Sequence, residues 1–205
     1  MKTITIEGQL RTETGKKATR HLRSQDMVPG VIYGGAKEVS FAVTAADIKP
    51  IVYTPNFYIA EIVLDGTSYK CILKDIQFDK VSDKLIHIDL LELVEGKKVV
   101  ANIPLSFEGT SIGVKNGGRL VIKMKALKVK TLPKDLKEKI VVSIDKLAIG
   151  GNIRVSDVIA ENMEVMNSPR IPIVSVVVTR ALKTGEVGAV VVDEIKEEAT
   201  TEAEA

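Results

Sequence analysis

Few residues in this chain offer chemistry: two histidines, His21 and His87, one cysteine, Cys71, and a dense run of cations near the start. His87 and Asp89 stand two apart in the alternating segment Leu85-Ile86-His87-Ile88-Asp89-Leu90. On a strand that spacing puts both on one face, where they pair as a base and its partner or supply part of a metal site. Two ligands fall short of a zinc site, which takes four, or three and a water. Cys71, within Tyr-Lys-Cys-Ile-Leu, reads as a small buried thiol. Neither a phosphate-cradling Walker loop nor a dinucleotide fingerprint occurs, and Gly34-Gly35 and Gly117-Gly118 read as turns. The expectation is a protein with no catalytic residues, no metal and no cofactor.

The cations point elsewhere. Between Arg11 and Arg23 lie Arg11, Lys16, Lys17, Arg20 and Arg23 against the single acid Glu13, with His21 among them and Gly15 placed to turn the chain into a short helix. Basic residues at a helix entrance favour a polyanion, though the same run also fits a solvated surface helix. Ile86, Ile88 and Leu90 share the buried face of their strand, which leaves His87 and Asp89 on the open one. With Gln77 and the cations they form a donor and acceptor set suited to base edges and 2′-hydroxyls flanked by phosphates; a cross-strand pair and a solvated glutamine fit equally. There is no Trp, and Phe41 and Phe78 read as core, so no stacking platform for single strands is expected. A folded duplex with an accessible minor groove is the better target.

These side chains need a scaffold. Thr3 to Glu7 and Leu85 to Leu90 alternate strictly, and Val31 to Tyr33, Val39 to Val43, Tyr58 to Leu64 and Ser68 to Phe78 are rich in β-branched and aromatic residues. Asp65-Gly66 supplies a hairpin turn. A helix is expected from Ala45 to about Tyr53, capped by Thr44, with Pro50 near its first turns. The result is a β-barrel or compact sheet with two short helices. All eight aromatic residues precede position 108, and the pattern changes around Val94 to Lys97, so a first domain is placed at 1–94. A second, all-β domain is placed at 95–185, with strands at Val99 to Phe107, Leu120 to Lys130, Ile140 to Ile144 and Ile171 to Thr179. Alternation slips near Ala126, which implies a β-bulge keeping Lys123, Lys125, Lys128 and Lys130 on one face, toward RNA or water.

Charge divides along the same lines. Residues 1–94 hold 12 Lys and Arg against 12 Asp and Glu, residues 95–185 hold 16 against 8, and residues 186–205 hold 1 against 7. The acidic tail, poor in large apolar groups, is expected to be disordered. No run approaches the roughly 18 to 20 apolar residues of a membrane span, and the start lacks a signal peptide's apolar stretch, so a cytosolic chain is expected.

Several separated blocks together resemble one family. These are Arg11 with Gly15-Lys16 through Leu22-Arg23, Val28-Pro29-Gly30-Val31-Ile32-Tyr33-Gly34, Lys74-Asp75-Ile76-Gln77, His87-Ile88-Asp89, Phe107 through Gly118, and Ile149 through Asp157. In order and spacing they resemble the Ctc (general stress protein) form of the bacterial large-subunit ribosomal protein twenty-five family, two-domain binders of 5S ribosomal RNA. The resemblance implies a six-stranded barrel whose open face docks in a widened minor groove. It implies partners in 5S rRNA, the large ribosomal subunit and neighbouring ribosomal proteins, with no membrane and no DNA. Arg11, Lys16, Arg20, Arg23, Tyr33, Gln77, His87 and Asp89 match the family's RNA-facing positions. Lys17 extends the cation run, His21 stands where the family usually has arginine, and Gly30 where alanine is common. The reading is a non-enzymatic ribosomal RNA-binding protein located in the cytoplasm on the ribosome. Two alternatives remain at this point: a stress-related protein-interaction module, and a hydrolase using His87 and Asp89.

Overall fold

A computed structural model describes residues 1–158 and 162–178; the acidic tail at 186–205 and the expected strand end at Thr179 lie outside the described residues. Strands β1 (Thr3–Leu10), β2 (Met27–Tyr33), β3 (Val39–Thr44), β4 (Ile59–Leu64), β5 (Thr67–Phe78) and β6 (Leu85–Glu92) form a closed barrel in the order β1-β3-β2-β6-β5-β4. Helix α1 (Lys16–Ser24) connects β1 to β2, and α2 (Ala45–Val52) connects β3 to β4. The β1–β4 and β2–β6 seams are parallel and the other four antiparallel.

The sequence dictates much of this. Ile32, Ile62, Ile88 and Leu90 alternate inward and are fully buried, joined by Phe41 in one core. Each such side chain contributes about 1.5–3 kcal/mol on burial. Asp65 and Gly66 both take positive φ, 45° and 83°, as a two-residue hairpin turn between Leu64 and Thr67 requires. Helix α2 adds Ile48 and Ile51 to the barrel core. Thr44 precedes it as expected, but its side chain makes no capping bond, and Pro50 sits well inside the helix instead of near its start.

Gly30 pairs with Phe41 across β2 and β3. A Cβ on Gly30 would stand 2.5 Å from the Phe41 ring, so the smallest residue here makes room for the largest in the core. Cys71 is a buried thiol, as expected, and burial together with the Glu92 carboxylate pushes its pKa up to about 12.

Further strands are β7 (Val99–Glu108), β8 (Arg119–Ile122), β9 (Ala126–Thr131), β10 (Ile140–Ser143), β11 (Asn152–Arg154), β12 (Glu164–Val165) and β13 (Pro172–Val177), with a short helix α3 (Ile112–Lys115). They form two sheets, ordered β10-β7-β9-β12 and β11-β13-β8. The chain forms two compact units, one of residues 1–106, 126–140 and 162–167, the other of residues 107–125, 141–158 and 168–178 among those described.

The bulge expected near Ala126 is a full break. β8 pairs with β13 and β9 with β7, and Lys123 and Met124 between them both donate their backbone N–H to the Ile173 carbonyl. Lys128 and Lys130 share the outer face of β9, while Lys123 and Lys125 lie in the connection.

Candidate nucleic-acid interface

Three adjacent strands, β2, β6 and β5, build one outer wall of the barrel. Val31 lies beside Asp89, Asp89 beside Asp75, and His87 beside Gln77. Ile32, Ile88 and Leu90 take the core side of these strands, so the intervening polar residues stand outside. A register shift between Leu73 and Asp75 inserts Lys74 and thereby turns Asp75 and Gln77 outward. A second shift, between Gln77 and Phe78, displaces Phe78 from the core; it is 41% exposed, contrary to its reading as a core residue.

His87 Nδ1 lies 2.7 Å from Asp89 Oδ1, close enough for charge pairing. The approach lacks the alignment of a hydrogen bond, so this buried ring nitrogen has no directed partner. Tyr33, half-buried at the end of β2, has its phenol pKa raised by burial and then by the carboxylates of Asp89 and Asp75. The hydroxyl is protonated at neutral pH and available as a donor. Arg23 reaches the wall from α1, donating from Nε to the Ile86 carbonyl at 3.2 Å and keeping its terminal nitrogens for other acceptors.

Helix α1 begins at Gly15, whose φ of 110° suits glycine and whose carbonyl receives the first helical bond from Thr19 N. No side chain caps this end and no acid occupies its first turn, so the N–H groups of Lys16 and Lys17 present a positive pole. Lys16, Lys17, Arg20, His21 and Arg23 are all exposed. Lys16 and Arg20 lie one turn apart, and Arg20 and Arg23 follow on adjacent positions of the surface. His21 meets the Gln25 side chain at 3.3 Å. Lys17 and His21, with Arg11 at the end of β1, line a cavity of about 470 Å³. Arg11 donates from Nη2 to the Glu13 carbonyl at 3.1 Å, but its buried Nε has no partner.

The sequence-predicted residues thus fall into two groups. Tyr33, Gln77, His87 and Asp89 come together on the wall, and Arg11, Lys17 and His21 around the α1 cavity; Arg23 joins α1 to the wall, and Lys16 and Arg20 project from the helix. Asp75 belongs to the wall and was missed, although its i, i+2 relation to Gln77 on one strand signals it. Among the described residues no group of three or more His, Cys, Asp or Glu is placed to hold a metal.

Comparison with known proteins covers most of the chain. Residues 6–90 match the Ribosomal L25p family, and residues 98–180 match the family described as ribosomal protein TL5, C-terminal domain. A protein from Amoebophilus asiaticus described as large ribosomal subunit protein bL25 is 44% identical over 185 residues, covering 90% of this chain and 94% of its own. Counterparts of the same description from Porphyromonas gingivalis and Cytophaga hutchinsonii are each 38% identical, covering 89% and 92% of this chain and 96% and 98% of theirs.

Proposed function

Because the chain belongs to the Ribosomal L25p family, we propose that it binds 5S ribosomal RNA through the β2–β6–β5 wall and helix α1. As a member it is a structural protein of the large ribosomal subunit, working in the cytoplasm, and not an enzyme. One observation carries the finer reading. Tyr33, Gln77, His87 and Asp89 share the outer face of β2, β5 and β6, and Arg23 ties to that face a helix whose Lys16, Lys17, Arg20 and Arg23 are exposed with no acid in its first turn.

The division of labour follows from the side chains. Arg11, Lys16, Lys17, Arg20 and Arg23 contact phosphates and supply affinity by releasing counterions. His21 adds a shorter contact in the same row. Tyr33 and Gln77 offer donors, Asp89 an acceptor, and His87 a ring nitrogen of either role, which suits the minor-groove edges and 2′-hydroxyls of an RNA duplex. We assign this docking to residues 1–94 and read 95–185 as the domain that meets neighbouring ribosomal components.

Titrating the full chain with 5S RNA between about 50 and 200 mM salt tests the reading. Contact with about four to six phosphates gives a log–log slope of roughly −3 to −5. An affinity that hardly changes over that range rules the electrostatic mechanism out.

A further inference from the structure

A cavity of about 330 Å³ opens at one end of the barrel. Its floor is apolar, made by Met27, Val28, Leu85 and Ile86. Tyr53 forms one side. This tyrosine is 61% exposed and rests against Phe78 at 6.1 Å between ring centroids, tilted by 55°. Two exposed aromatic rings in contact, beside an apolar hollow, offer a face for a planar partner.

The rim is shaped before anything binds. Asp79 accepts hydrogen bonds from Val81 N–H at 3.2 Å and the Ser82 hydroxyl at 2.8 Å, which ties its charge into its own loop. Asp26 and Asp83 both line the cavity with positive φ, 56° and 52°, two of the four non-glycine residues in that conformation among those described. Such backbone concentrates where a site must be pre-formed. Lys84 meets Asp26 only loosely, at 3.9 Å with both side chains largely exposed. The carboxylate of Asp83 and the ammonium of Lys49 have no partner among the described residues, and Arg23 brings its terminal nitrogens to the same mouth.

We propose that this cavity takes an unstacked nucleobase of the bound RNA, stacked on Tyr53 with its edge toward Asp83 and its phosphate between Arg23 and Lys49. The inference rests on the RNA-binding reading above, since Arg23 couples the cavity to α1. A peptide side chain would fill the apolar floor equally, but it makes no use of an acceptor on the edge and two cations at the mouth. A nucleotide uses all three.

The test uses the full chain and two RNA duplexes that differ by one bulged 2-aminopurine nucleotide. The bulged duplex should bind about tenfold more tightly, with a fluorescence change on binding, and an abasic bulge should bind like the paired duplex. Tyr53→Ala, and separately Phe78→Ala, should abolish the preference while leaving the salt slope intact. Equal binding of bulged and paired duplexes overturns the proposal. So does an abasic bulge as good as the base, or a preference that survives both substitutions in folded protein. Saturable displacement of the Tyr53 ring resonances by a leucine-rich peptide, with the bulge inert, assigns the cavity to a protein partner instead. In each of these cases the paired duplex still binds with its steep salt dependence; loss of that dependence is the separate failure of the RNA-binding reading.

Discussion

Asp75 and Asp89 face each other directly across β5 and β6, both on the outer wall of the barrel. Two carboxylates in this relation repel, and on an antiparallel pair the penalty is about 0.2–1 kcal/mol. Asp75 bonds only the backbone N–H of Ile76, at 2.9 Å, so no cation offsets it. Asp75→Asn is therefore expected to raise the midpoint of urea unfolding by the equivalent of that amount, while Asp89→Asn also removes the contact with His87 and gains less. An Asp75→Asn protein less stable than wild type would contradict the like-charge argument.

Arg11→Lys separates geometry from charge. The substitution keeps one positive charge but deletes the planar guanidinium fork that can grip a phosphate through two nitrogens. Affinity for 5S RNA should fall by roughly 5- to 150-fold, corresponding to about 1–3 kcal/mol, with the salt slope unchanged. If neither the affinity nor the slope changes, Arg11 acts as a plain point charge.

Gly30→Ala tests the fit with Phe41. The added methyl would meet ring carbons at 2.5 and 2.8 Å and the Ile88 carbonyl at 3.0 Å, with no flexible side-chain end to give way. Overpacking of this kind costs about 1–3 kcal/mol, read as a lower denaturation midpoint. Because Gly30 lies beside Ile88 on β6, the same change should displace His87 and Asp89 and weaken RNA binding.

Acid titration reports on the β5–β6 loop. The Asp79 carboxyl is held below the usual carboxylate range by the Ser82 hydroxyl and then by Val81 N–H. A depressed folded-state pKa adds stability that is present above the unfolded value, near 3.9, and is lost as pH falls through the lower folded value. Asp79→Asn should thus be less stable than wild type at pH 7, and the difference should shrink below about pH 4. A constant difference across that window would show that the hydrogen bonds do not depend on the charge.

What could be seen in the residues alone follows from how local the cause is. Asp65-Gly66 marks its hairpin because the turn needs positive φ at both positions, and β6 shows itself by strict alternation. The break between β8 and β9 stayed hidden, because alternation records which side is buried and not which strand is the partner. Two runs that bury opposite phases look the same whether one strand bulges or the chain changes sheets. Phe78 misled for a related reason: a register shift beside Gln77 exposes a residue whose type says core. His87, Asp89 and Gln77 were legible as a group through their spacing, whereas the facing of Asp75 to Asp89 became visible only with the strand pairing.

The parallel seam between β2 and β6 joins residues 27–33 to residues 85–92. During synthesis, the first of these segments leaves the exit tunnel dozens of residues ahead of the second. A nascent chain therefore carries its cations early but has no wall to place beside them until the final strand emerges. On the proposed reading, attachment to ribosomal RNA before that point would rest on the cations alone, as loose, salt-sensitive association, and firm seating would await completion of the barrel.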